Sequence, residues 1–352
     1  MNVTTHQRPG VYSAYDASTV VSGSGGGRLV GLAAVNTVAA AGVVQTITSY
    51  EKAVSVFGSG GDEDMAELIR LALKNGAGGV KAVAVANEEG YEAAFALLEQ
   101  EEELAAVLCG STTKSVQQKL LSSVKTAAEN RRERLCVAAG AAGESEEELI
   151  DRAEALNSER AVLVAPGGLD RDGEAISGLC VAAAVAGALA GERDPAVPLG
   201  GAELKGLYGL SGRYDDNALD QLILGGVTPV ESVGGTVSVV RGVTTRTKTG
   251  QVQDATWRDL STIRVVDDVI PSLRAALRAR FARAKNTAQS RSAIRAQVVL
   301  ELENKLQQEI ITGYEGVEVS ADTQDPTRCL VEFSFTVAHG INQIWLTAHI
   351  TV

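Results

Sequence analysis

From Arg28 to about residue 200, helical and strand-like patterning follow one another in strict alternation. No other feature of the chain restricts its fold as strongly. Strand-like runs occupy 29–35 (LVGLAAV), 43–50 (VVQTITSY), 80–86 (VKAVAVA), Leu104–Cys109, Leu135–Ala139 and Ala161–Val164. Helical runs occupy 62–74 (DEDMAELIRLALK), 88–100, 113–132 and 144–156. Parallel strands need long crossover connections, and helices are the usual crossovers. The chain is therefore expected to be α/β: a largely parallel sheet with helices on both faces. The apolar run at 178–191 (GLCVAAAVAGALAG) falls short of the roughly 20 residues that span a bilayer. Its Ala and Gly content predicts a buried helix with a small-residue face.

The texture changes after Pro198. A short helix is expected over 216–224, then two strands around Gly234-Gly235 within 227–247, a Gly-Gly turn between alternating runs being a hairpin signal. Residues 260–266 read as a strand, 267–285 as a basic helix and 288–311 as a second long helix. The last carries an apolar stripe of Ile294, Val298, Leu302, Leu306 and Ile310. In 329–337 the apolar residues Cys329, Val331, Phe333, Phe335 and Val337 alternate with mostly polar ones, as in a strand with one buried face. After AHGINQ a second alternating run places Ile344, Leu346, Ala348, Ile350 and Val352 on one face. At the other end, 1–19 has little amphipathic pattern and leads into SGSGGG at 22–27, a hinge-like segment. Four parts are expected: an N-terminal arm with a Gly-rich hinge (1–27), an α/β body (28–200), an α+β C-terminal domain (201–337) and a C-terminal arm (338–352).

Several chemistries find no support. The histidines are His6, His339 and His349, so no Ser/His/Asp or Cys/His arrangement can be built inside the body. No GxxxxGK[ST] occurs, and the run Gly23-Ser24-Gly25-Gly26-Gly27 has arginine where GxGxxG needs its third glycine. Cys109, Cys136, Cys180 and Cys329 form no CxxC pair and read as small buried hydrophobes. Asp62-Glu63-Asp64 suits a helix start. Asp170-Arg171-Asp172-Gly173 lacks the glutamate of a calcium loop at its twelfth position, which is Val181. Neither catalysis nor a cofactor or metal is expected, and the first residues show no basic segment followed by an apolar one that would mark a secretory signal.

One charge feature stands out against a net charge of −12. Between Pro271 and Leu300 lie Arg274, Arg278, Arg280, Arg283, Lys285, Arg291 and Arg295, with no acid among them. Such a segment is either a solvated helix face or a docking surface for an acidic partner. Only Phe281 interleaves, which gives single-stranded nucleic acid little to stack on and favours a protein partner. A soluble nucleic-acid-binding protein using 271–295 is the alternative.

Motifs spread along the whole chain resemble those of contractile tail sheath proteins of phages and related injection systems. They are Arg8-Pro9-Gly10-Val11-Tyr12, Val56-Phe57-Gly58 with Asn75-Gly76-Ala77, Val164-Ala165-Pro166-Gly167 with the Ala-rich helix to Gly191, Gly225-Gly226-Val227, Arg241-Gly242-Val243-Thr244-Thr245-Arg246-Thr247, and Ile263-Arg264-Val265-Val266-Asp267. The resemblance implies a subtilisin-like sheath domain without protease activity and a helical homopolymer around an inner tail tube protein. It also implies baseplate and tail-terminator partners, no nucleic acid, no membrane insertion, and a place in the tail of a virion or phage-like particle assembled in the bacterial host cytoplasm. In that family both arms add strands to neighbouring subunits. Here the inter-subunit strands would be Val11, Tyr12 and Tyr15 at one end and Ile344, Leu346, Ala348, Ile350 and Val352 at the other, received near Val331, Phe333 and Phe335. Gly23, Gly25, Gly26, Gly27 and Gly340 would be the hinges, and the seven basic residues would dock the tube. The chain is short for the family.

Overall fold

The computed structural model describes residues 27–59, 61, 64–342 and 346–347. The expectations for Val11, Tyr12, Tyr15, Gly23, Gly25, Gly26, Ile344, Ala348, Ile350 and Val352 lie outside those residues. The chain runs β1 (Leu29–Val35), β2 (Val44–Ile47), α1 (Tyr50–Phe57), α2 (Met65–Lys74), β3 (Gly79–Val85), α3 (Tyr91–Gln100), β4 (Leu104–Cys109), α4 (Lys114–Glu129) and β5 (Leu135–Ala139). It continues through α5 (Glu146–Leu156), β6 (Ala161–Ala165), β7 (Gly168–Leu169), β8 (Ala175–Ile176), α6 (Gly178–Gly191), β9 (Gly209–Leu210), α7 (Asp216–Leu224), β10 (Val227–Val233) and β11 (Thr236–Val239). The remainder is β12 (Lys248–Thr249), β13 (Val252–Gln253), α8 (Leu260–Phe281), α9 (Ala288–Gln307), β14 (Ile311–Ala321) and β15 (Cys329–Val337).

The main sheet has the order β11-β10-β6-β5-β4-β1-β3-β2. Its neighbours are parallel except for the two outermost pairs, β10–β11 and β2–β3. Every residue of β4, β5 and β6 is buried, as befits strands covered on both faces. One apolar core, with α1, α2 and α6, lies on one side of the sheet; another, with α3, α4, α5 and α7, lies on the other. Side-chain caps punctuate the helices: Asp64 accepts from the Glu67 amide, Asp215 from Ala218, and Ser145 shares a capping box with Glu148.

The Ala-rich helix appears where the sequence placed it, as α6, buried along nearly its whole length. Its small residues let two backbones touch. A Cβ built on Gly187 would lie 2.3 Å from the Ala72 carbonyl oxygen of α2, and one on Gly191 would lie 2.8 Å from the Gly76 Cα.

Several expectations are corrected. The body sheet does not stop at residue 200, because β10 pairs in parallel with β6 and brings β11 with it. Residues 260–266 are not a strand but the first turns of α8; Leu260 and Ile263 enter the body core while Val265, Val269 and Leu273 enter a third, smaller one. Tertiary packing thus overrides the local β-branched preference. The second long helix ends at Gln307; Ile310 lies in the bend that follows and Ile311 opens β14, which the sequence reading missed. Helix α1 was also missed.

Candidate assembly interface

β14 and β15 form an antiparallel two-stranded sheet with no third strand among the described residues. The alternation expected for 329–337 is present: Val331, Phe333, Phe335 and Val337 turn inward and are half-buried, while Leu330, Glu332, Ser334 and Thr336 are exposed. The inward row packs against the small apolar core to which α9 contributes Val298 and Leu302 and α8 contributes Val265, Val269 and Leu273. An isolated two-stranded hairpin is marginal in water, and the helices supply the missing layer. They do so incompletely, since none of that row reaches full burial. Each strand also keeps one edge whose peptide groups have no strand partner among the described residues, which is the arrangement that recruits further strands. Leu346, of the expected donor row, is 90% exposed.

The seven basic candidates do not act as one free set. Arg274 donates to Glu133 of the body at 2.9 Å, Arg280 is bonded to Gln297, Arg291 donates to the Asn286 side-chain oxygen at 2.9 Å, and Arg295 donates to the Val317 carbonyl at 2.8 Å. Asn286 in turn donates to the Pro326 carbonyl at 2.8 Å, tying the α8–α9 turn to the tip of the β14–β15 hairpin. Arg278, Arg283 and Lys285 are exposed, make no ion pair among the described residues, and crowd the carboxyl end of α8 and the turn after it. They complement that helix end, and their charge also remains available to a partner.

Helix α8 is bolted to the body. Both terminal nitrogens of Arg160 donate to Asp267 at 2.8 Å, with both side chains largely shielded. Lys305 of α9 is bonded to the neighbouring Asp268. Burial pushes the Asp267 carboxyl above the usual carboxylate range, and Arg160 offsets only part of that. The pair therefore orients the helix more than it adds net stability. Sequence reasoning missed this junction because its partners are 107 residues apart.

A cleft of about 810 Å³ opens beyond the carboxyl ends of β5 and β6, bounded by 140–147, Pro166, Ser177, Ser211 and Tyr214. Two of its hydroxyls are committed to helix starts: Ser145 caps α5, and Ser177 accepts from the Leu179 amide at the start of α6. Beside it, buried Arg152 is bonded to Glu144 and donates to the Thr112 carbonyl and the Gln117 side-chain oxygen. Among the described residues no three His, Cys, Asp or Glu side chains are placed to share a metal ion, and no helix is long and apolar enough to cross a membrane. Cys109, Cys136 and Cys180 are buried as expected, whereas Cys329 is half-buried on the hairpin; burial pushes the Cys109 thiol up to about 12, away from nucleophilic use.

Comparison with known proteins agrees with this architecture. A model of the phage tail sheath protein central domain matches residues 84–245, and a model of the phage tail sheath C-terminal domain matches 252–351. The tail sheath protein of Bacillus phage SP01 is 30% identical over 228 residues, which cover 63% of this chain and 39% of that protein. The chain thus spans well under half the length of that curated relative. Among solved structures, the helical sheath of the anti-feeding prophage in its contracted state superposes with a TM-score of 0.74 at 18% identity, covering 98% of this chain and 99% of the other. The sheath tail protein of Desulfitobacterium hafniense gives 0.70 at 13% identity, covering 93% and 100%. At these identities the structural likeness establishes the fold.

Proposed function

This chain belongs to the phage tail sheath family, and from that premise we propose that it polymerises helically around an inner tube and drives that tube through a target envelope by contraction. The observation that carries the proposal is the β14–β15 hairpin, two strands whose outer edges have no strand partner among the described residues and whose inner apolar row its own helices leave half-buried. Strands donated by the terminal arms of neighbouring copies, about residues 11–15 and 344–352, complete this sheet. Main-chain hydrogen bonds hold them and alternate side chains fix their register. Head-to-tail donation that does not close on itself generates a helical lattice.

The tube is docked by Arg278, Arg283 and Lys285, while Arg280, Arg291 and Arg295 hold the C-terminal unit together and Arg274 ties it to the body. Exposed ion pairs are each worth about 0–1 kcal/mol, weak enough to release when the body repacks. Contraction is a rigid-body rearrangement of subunits whose donated strands stay paired. The subunit works mechanically, without catalysis or cofactor, in the tail of a virion or phage-like particle assembled in the host cytoplasm, with baseplate and tail-terminator proteins at its ends.

Negative-stain electron microscopy of the chain co-expressed with the tube protein, beside a deletion of residues 344–352, tests the proposal. Hollow striated tubes from the intact chain and dispersed, folded subunits from the deletion are expected. Normal tubes from the deletion would overturn strand donation.

A further inference from the structure

We infer that Gly340 and Pro198 form a fixed seat that sets the direction in which the C-terminal segment leaves the subunit, and that Arg264 holds this seat in place. The inference rests on the reading in which residues 344–352 pair with a neighbour. The sequence suggests that Gly340 is a hinge, but its surroundings are not those of a free joint. A Cβ built on it would lie 2.5 Å from Cγ, 2.7 Å from Cδ and 2.8 Å from Cβ of Pro198. Its φ is outside the left-handed region, so the need for glycine here is one of space and not of backbone conformation. A pyrrolidine ring has no rotatable side chain to swing aside. On the upstream side, the Ala338 amide donates to the Ile310 carbonyl at 3.2 Å, which keeps the chain against the start of β14 until just before the seat.

Pro198 is itself immobilised. Arg264 of α8 donates to the carbonyls of Val197 at 3.1 Å, Glu192 at 3.1 Å and Asp194 at 3.3 Å, so one guanidinium gathers the whole segment after α6. Ala196, within that segment, packs on the smaller core. The opposite end of the chain reaches the same block: the Arg28 amide donates to the Ala190 carbonyl at 2.9 Å, immediately after the Gly-rich run. Arg28, Glu192, Pro195, Arg264 and Asp267 surround one cavity of about 200 Å³ there. Both ends of the described chain therefore leave from one junction between α6 and α8. Tension on a donated strand at either end passes into that junction, and through it into both cores.

The test uses the full-length chain as wild type, Gly340→Ala, Pro198→Gly, the double variant, and Arg264→Gln. Two quantities are read on each folded protein: hydrogen–deuterium exchange over 338–342 in unassembled subunits, and the fraction that pellets as polymer. Gly340→Ala is expected to speed exchange by about tenfold and abolish pelleting, the double variant to restore both, and Arg264→Gln to speed exchange at the same peptide. Unchanged exchange and pelleting in Gly340→Ala would overturn the seat. So would a loss that Pro198→Gly does not rescue, because glycine would then be serving flexibility. If wild type co-expressed with the tube protein itself stays in the supernatant, the polymer reading fails while the exchange comparison still decides the seat.

Discussion

Replacing Gly187 by alanine sets two effects of opposite sign against each other, and the geometry decides between them. Alanine in a helix interior is favoured over glycine by about 1 kcal/mol, so α6 alone would gain. The new Cβ, however, would lie 2.3 Å from the Ala72 carbonyl oxygen and 2.9 Å from its carbonyl carbon and Cα. These are backbone atoms of α2 and cannot rotate away. The contact has to open to at least 3.0 Å, which separates two helices whose facing residues are almost all buried. A gap of about half an ångström or more forfeits a quarter to a half of the dispersion attraction along the seam. Overpacked cores typically cost about 1–3 kcal/mol, and a backbone clash belongs at the upper end. The net expectation is a loss of about 2 kcal/mol, read as a lower guanidinium midpoint with an unchanged slope. Gly313→Ala is the control, since nothing lies within 4 Å of its Cβ and its φ is unexceptional. A Gly187→Ala protein as stable as wild type, or more so, would show that α2 and α6 do not touch through their backbones.

Three further outcomes follow from the same geometry. Asp267→Ala strands Arg160 in a shielded site and should cost about 3 kcal/mol in chemical unfolding, whereas replacing both partners by apolar residues should be nearly neutral; equal costs would contradict the burial of the pair. Hydrogen bonds from the Thr249 hydroxyl, then from Thr256, hold the Asp254 carboxyl down at about 2. With a folded value below the unfolded one of about 4, its contribution is present above pH 4 and fades as pH falls toward 2. Amide protection across 247–256 should drop over that window, and protection that stayed constant would dismiss the linkage. Neutralising Arg278, Arg283 and Lys285 to glutamine should abolish tube association yet lower stability by no more than about 1 kcal/mol, because these exposed side chains make no ion pair among the described residues and complement only the end of α8; a larger loss of stability would place them in a structural role.

The body was legible because its physics is local and periodic. α6 and α7 fell on the residues expected, and β4, β5 and β6 were marked by short apolar runs between turn signals. β14 escaped because its ladder is irregular on either side of Tyr314-Glu315, with Gly316 at φ +65°, and breaks in register erase alternation. α1 escaped because its eight residues follow directly on β2, and only Ala53 and Phe57 are buried. Thr262, Ile263, Val265 and Val266 read as a strand because β-branched residues cluster there, and nothing local announces that two cores await them on one helix. The basic set was legible as charge. Which members are engaged depends on Glu133, Gln297, Asn286 and Val317, and in part on contacts up to 141 residues apart.

Helix α8 begins in one core and ends in another, and this bears on how the gene can be divided. A fragment ending before residue 260 would leave the body without Leu260 and Ile263 and would expose the apolar surface they cover. A fragment starting there would carry the same two side chains into water and lose the Arg160 partner of Asp267. Neither half should be recovered as a soluble, independently folding product. Recombination between related genes is then viable only where the crossover leaves α8 and the sheet beneath it from the same parent, so the two regions should be inherited together.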